Sequence, residues 1–270
     1  MDISILLPTR GRADQMERSL RSLIDQASGL HKIEIVFGVD QDDQENTELW
    51  KQTVRPYLAE KNVSDSILVF EPMGYENLHH YVNALAGHST GSWMFFWNDD
   101  AYMQTQDWDK IICGYTGQFK LLSVHTHNKH PYSIFPIVPR KWHDLVGHLS
   151  QHSLNDAWLS QVAYMLDIFE RIPVWCNHDR NDLTGNNNDA TYKNRKVLES
   201  NPTNPNDFNY VDRQQQRLND CAVLATWMQD NNIDTSFFAE SCQGKRDPWE
   251  KMFANDVNRQ LGVLIPKLNT

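Results

Sequence analysis

Two hydrophobic periods alternate along the first hundred residues. Short apolar runs at 3–7, 33–39, 66–70 and 93–97 are too brief for helices and predict strands. Between them the apolar residues fall at helical spacing: Met16, Leu20, Leu23 and Ile24, then Leu49, Val54 and Leu58, then Leu78, Tyr81, Val82 and Leu85. Strand and helix in strict alternation predict βαβ units, hence an α/β fold with a mostly parallel, Rossmann-like sheet and helices on both faces. Pro8 stops the first strand, and Asp14-Gln-Met-Glu17 reads as a capping box for the first helix. Beyond residue 100 the pattern loosens. Strands are expected at 120–125, at 134–138 (an edge strand, because of Pro136) and at 172–176, with helices at 140–149 and 155–169. Helical periodicity over 210–229 and 248–261 predicts a helical C-terminal appendage. Residues 181–207, rich in Asn, Asp and Pro, read as a lid or a disordered segment. Three parts result: 1–110, 111–206 and 207–270.

The chain centres on Gly91-Ser-Trp-Met-Phe-Phe-Trp-Asn-Asp-Asp. An apolar run rich in aromatics predicts a strand buried on both faces, and Asp99 and Asp100 follow at its carboxyl end. Ligands of open α/β sheets bind beyond that end of the strands. Adjacent carboxylates repel, so they share a proton or a cation, and Mg²⁺ is typically held by one or two carboxylates plus substrate phosphates. A turn in which Asn and Asp cap the next segment is the other reading of the same residues.

Composition narrows the classes. With 40% hydrophobic and 22% charged residues the chain reads as an ordinary soluble protein, and it has no apolar run long enough to span a bilayer. A formal charge of −10 disfavours a nucleic-acid surface, yet allows a small anionic substrate held through a metal. Cys113, Cys176, Cys221 and Cys242 form no C-x-x-C pair, and the start of the chain lacks a basic signal-peptide region, so a cytoplasmic protein with free thiols is expected.

Taken in order, Ser4-Ile-Leu-Leu-Pro-Thr-Arg-Gly-Arg12, Phe37-Gly-Val-Asp40, Gly74 followed by Asn83-Ala84, and Gly91 running into Asn98-Asp99-Asp100 resemble the GT-A glycosyltransferases, most closely the family 2 type. The resemblance covers about residues 2–110 and implies the GT-A fold. It places the first loop, with Pro8, Thr9, Arg10 and Arg12, against a nucleotide. By the same likeness Asp40 bonds the base, Asp99 lies near the ribose, Asn83 belongs to the nucleotide site, and Asp100 holds Mn²⁺ or Mg²⁺ on the diphosphate. Two positions depart from the pattern: Asn98 replaces the first acid of the usual Asp-x-Asp, and Tyr81-Val82 precede Asn83 where the family often has Arg.

Asn155-Asp156-Ala-Trp158 is similar to the family's acidic pair below the acceptor, which makes Asp156 the candidate base. The alternative is that Asp156 caps its helix. His178 corresponds to a C-terminal histidine that serves several GT-A enzymes as a further metal ligand; a plain core or surface histidine is the alternative. Trp142 and Trp158 are read as core residues or as sugar-stacking platforms, and Lys193, Arg195 and Lys196 as a diphosphate lid or a solvated loop. The expected activity is a metal-dependent, inverting transfer of a sugar from a nucleotide-sugar donor, expected to be a UDP-sugar, to a hydroxyl of a glycan, protein or small molecule. A retaining transferase, a sugar nucleotidyltransferase and a catalytically silent nucleotide-sugar-binding module are the rival readings.

Overall fold

A computed structural model describes residues 1–127, 130–179, 208 and 211–250. Eight strands form one sheet: β1 (Ile3–Thr9), β2 (Ile33–Asp40), β3 (Ser64–Phe70), β4 (Trp93–Phe96), β5 (Ala101–Met103), β6 (Leu121–Thr126), β7 (Pro136–Pro139) and β8 (Phe169–His178). Their spatial order is β3-β2-β1-β4-β7-β6-β8-β5. The β3-β2-β1-β4 half is wholly parallel, and β6 and β8 also run parallel; β7 and β5 are reversed.

Side-chain alternation divides the core into two layers. Odd residues of β1 and β2 (Ile3, Ile5, Leu7, Ile33, Ile35, Phe37) pack beneath helix α1 (Ala13–Asp25) and a bent helix. That bent helix consists of α2 (Gln44–Leu49), a π-helical turn at Trp50–Val54 and α3 (Arg55–Glu60). Trp50 stacks on Phe37 with ring centres 4.2 Å apart. Helix α5 (Trp108–Cys113) closes this layer. Even residues (Leu6, Val36, Met94) face α4 (Leu78–His88), α6 (Arg140–Val146), α7 (Asn155–Met165) and the long C-terminal helix α8 (Val211–Asp230). A short α9 (Ser236–Cys242) follows. Among the described residues no helix is long and apolar enough to cross a membrane.

Several expectations need correction. Pro136 is not on an edge: β7 lies between β4 and β6. It is tolerated because it is the first residue of a four-residue strand, where one missing donor costs little ladder. The capping box does not form. Helix α1 starts at Ala13 with Arg12 at the N-cap, so Asp14 is already inside the first turn and Glu17 pairs with Arg21 at 2.8 Å. Helix α7 ends at Met165, and Phe169 opens β8 instead of closing the helix. Strands of the one sheet come from both 1–110 and 111–206. The helix expected over 248–261 lies almost wholly outside the described residues, as does the basic cluster Lys193, Arg195 and Lys196.

Candidate active site

Gly91 sets up the central strand. A Cβ there would lie 2.4 Å from the Ser4 hydroxyl and 2.6 Å from the Ser4 backbone nitrogen, so only glycine lets the turn press against β1. The Gly91 amide donates to Ser4 Oγ at 2.7 Å, and the Arg140 guanidinium donates to the Gly91 carbonyl at 2.8 Å. Thus anchored, Trp93–Phe96 runs buried beside β1 and delivers Asp99 and Asp100 past its carboxyl end.

Both carboxylates are buried, and the first loop surrounds them. The Thr9 hydroxyl donates to Asp99 Oδ2 at 2.6 Å. One Arg12 nitrogen donates to Asp99 Oδ1 at 2.8 Å and to Asp100 Oδ2 at 3.3 Å. Burial pushes the Asp99 carboxyl up to about 6 despite Arg12 and Thr9, and the neighbouring Asp100 charge adds to the rise. Burial would raise Asp100 as well, but the His178 imidazole and the Arg12 guanidinium outweigh it, and its pKa lies below the ordinary value.

A short strand brings His178 to this pair. After the turn at 98–100, β5 pairs antiparallel with β8, and Ala101 stands opposite His178. His178 is buried, its Nε2 is 3.2 Å from Asp100 Oδ1, and its ring meets Phe135 edge-on. The approach is not aligned as a hydrogen bond. Asp100 Oδ1 and His178 Nδ1 are both buried without a hydrogen-bond partner among the described residues. Atoms left this way can be completed by an ion or a water. No group of three or more His, Cys, Asp or Glu side chains among the described residues is arranged to hold a metal by itself. A carboxylate oxygen and an imidazole still suit Mn²⁺ or Mg²⁺ when ligand phosphates complete the shell.

The second part of the site lies at the end of β2. Asp40 accepts from the Tyr81 hydroxyl at 2.6 Å and from Arg10, which also forks onto Asp42 at 2.6 and 2.8 Å. Burial and the bond to Asp40 push the Tyr81 phenol up to about 12, so it remains a donor. The Gly11 amide donates to Asp43 at 2.7 Å. Pro8, Thr9, Arg10, Arg12, Asp40, Asp99, Asp100 and His178 therefore gather at one end of the sheet.

Asn83 does not join them. Its amide nitrogen donates to the Ser150 carbonyl at 2.7 Å, and its oxygen accepts from the Leu149 and Ser150 amides at 2.8 and 3.3 Å. It clamps the loop leading into α7. Asp156 sits in the first turn of α7, half-buried, with Oδ1 accepting from the Ala157 amide at 2.8 Å. Leu154 is the N-cap, so Asp156 does not fill that position. Trp142 and Trp158 are fully buried core residues. Sequence reasoning does not reveal the bond from Tyr81 to Asp40 or β5: the first residue falls in an apolar helical stripe, and the second element is three residues long.

No known family profile matches the chain, and no curated protein matches it by sequence. Solved structures do match. The mannosyltransferase PcManGT from Pyrobaculum calidifontis, in complex with GDP-Man and Mn²⁺, is 12% identical with a TM-score of 0.55, over 97% of this chain and 88% of that one. S. aureus TarS 1-349 is 15% identical with a TM-score of 0.50, over 90% and 92% of the two chains. Its complex with UDP-GlcNAc is 12% identical with a TM-score of 0.51, over 85% and 81%. The chain shares the fold of these structures, the GT-A fold.

Proposed function

We propose that this protein is a metal-dependent glycosyltransferase that takes a sugar from a nucleotide-diphosphate donor, a UDP-sugar in the first instance, and passes it to an acceptor hydroxyl. One observation carries the reading. Asp100 Oδ1, buried and without a hydrogen-bond partner, lies 3.2 Å from the His178 imidazole at the carboxyl end of the central strand. Asp100 and His178 would hold the cation, which when bound acts as a Lewis acid on the departing diphosphate.

The rest falls to the chain's own groups. Arg12 and Thr9 hold Asp99 and Asp100 in fixed orientations, so the carboxylates need no rearrangement when the donor arrives. Asp99 would meet the ribose. Tyr81 and Arg10 orient Asp40 toward the base-binding end. Pro8 shapes the first loop between them. Asp156, in the first turn of α7, is the base for the acceptor hydroxyl in an inverting displacement. The likeness to a mannosyltransferase crystallised with GDP-Man and to a protein crystallised with UDP-GlcNAc supports a nucleotide-sugar donor without choosing its base.

A second reading has its own support. Arg12 already ties both acids together, as a binding module without catalysis would also require. Donor hydrolysis and transfer, followed with Mn²⁺ across UDP- and GDP-sugars, separate the two. The transferase reading expects slow metal-dependent turnover that Asp100→Ala reduces at least about a hundredfold, the scale of losing one preorganised electrostatic group. Full turnover by Asp100→Ala would refute it.

A further inference from the structure

The protein has nine tryptophans. Seven are buried and Trp227 is half-buried, while Trp175 is 52% exposed. That exposure is not a loose end. Trp175 lies flat against His125 on the neighbouring strand β6, with ring centres 4.4 Å apart and planes 14° from parallel. Its backbone is fixed as well: the amide donates to Thr105 Oγ1 at 2.7 Å and the carbonyl accepts from Gln104 at 2.9 Å. Burial, with Arg171 nearby, lowers the His125 pKa below the ordinary value, so the stack is between two neutral rings at neutral pH. A large aromatic face held rigid and left toward solvent loses little entropy on binding.

Its position in the fold is informative. Ile172, Val174 and Cys176 of β8 point into the layer beneath α1 and α5, so Trp175 points to the opposite face, the one α7 covers. There Phe169 at the start of β8 stacks on Tyr164 near the end of α7. Helix and strand run in opposite directions from that contact. From Tyr164 back to Asp156 the helix rises about 12 Å, a height β8 reaches about four residues past Phe169, near Pro173. Along the strand direction Trp175 thus falls between the level of Asp156, about two residues back, and that of His178. His178 lies three residues further on, roughly 10 Å along the strand and, by the same alternation, on the other face, so the two meet only around the carboxyl end of the sheet.

The geometry points to an acceptor subsite in which Trp175, backed by His125, stacks against the apolar C–H face of a carbohydrate ring and presents the adjoining sugar's hydroxyl to the region between Asp156 and Asp100. The acceptor is thereby a glycan of at least two sugars. This rests on the transferase reading above for what happens to that hydroxyl; the platform itself does not.

The test is saturation-transfer NMR with Mg²⁺ and UDP present, using α- and β-linked di- and trisaccharides of glucose, mannose and N-acetylglucosamine on wild type, Trp175→Ala and Trp175→Phe. Saccharide C–H protons should saturate on wild type, remain with Trp175→Phe, and show affinity at least about tenfold weaker with Trp175→Ala, the scale of one lost stacking contact. The UDP signal should be equal in all three proteins. Equal saccharide signals in wild type and Trp175→Ala, or none from any saccharide while UDP saturates, overturn the platform. Loss of the UDP signal alone would instead overturn the nucleotide site and leave the saccharide result to judge Trp175.

Discussion

Arg12 makes two adjacent buried carboxylates tolerable. Its guanidinium touches both Asp99 and Asp100, and Thr9 supplies the remaining donor to Asp99. Removing one partner of a buried ion pair typically costs about 3–5 kcal/mol, because the other charge stays behind unpaired. Arg12→Leu should therefore lower the thermal midpoint sharply, and Mn²⁺ should recover part of the loss by taking over the counter-charge. A midpoint unchanged in Arg12→Leu would mean the acids are not ionised together. Gly91 poses a steric version of the same question. Gly91→Ala forces a methyl into the Ser4 backbone, and overpacking of this kind costs about 1–3 kcal/mol in a denaturant melt. The acids, the glycine and Thr9 were legible in the sequence, since each belongs to a short local pattern. The Asp100–His178 juxtaposition was reachable only through the family likeness, because a three-residue strand creates it and carries almost no periodicity.

At the level of elements, two loops are held by single polar side chains. Asn83 on α4 binds 149–150 through three hydrogen bonds and so sets the entry to α7. Asn83→Ala is expected to cost about 1–3 kcal/mol of stability and to leave nucleotide affinity within twofold, the cost being that of stranding buried backbone groups. A tenfold weaker UDP titration at unchanged stability would return Asn83 to the diphosphate. Asp109 in α5 holds the loop after α1, accepting from the Ser28 amide and hydroxyl at 2.7 and 2.5 Å, with His31 at 2.9 Å. Burial alone would raise its pKa, but these partners outweigh burial and lower it. A lowered carboxylate stabilises the fold fully above the unfolded value, about 4, and that contribution is lost as pH falls through the lower folded value. Melts between pH 5 and pH 3 should show a slope that shrinks in Asp109→Asn; an identical slope would assign the acid sensitivity elsewhere. Element types were readable from period and length, whereas helix starts were not. Arg12 displaced the expected capping box because chain geometry, not residue preference, decided where α1 begins.

Across the described residues, one sheet and two core layers join residues from all three parts of the chain. Helix α8 buries Cys221, Leu224, Ala225 and Met228 against the layer that contains α6 and α7, so the C-terminal helix contributes to the core. Leu224→Ala should cost about 2–5 kcal/mol and keep unfolding in a single transition; an early separate transition for the C-terminal part would contradict this. That integration was hidden in the sequence, because burial against a distant helix leaves no mark in local periodicity.

The central claim is that Asp100 and His178 hold a divalent ion that grips a nucleoside diphosphate. Calorimetric titration of UDP and of GDP into wild type, Asp100→Ala and His178→Ala, each with Mn²⁺ and then with EDTA, tests it directly. Binding to the wild type should need Mn²⁺ and weaken at least about a hundredfold with EDTA or in Asp100→Ala, as expected when an ion bridging carboxylate and phosphate is lost. His178→Ala should fall between. Affinity that is the same with and without the metal, or untouched by either substitution, would contradict the account.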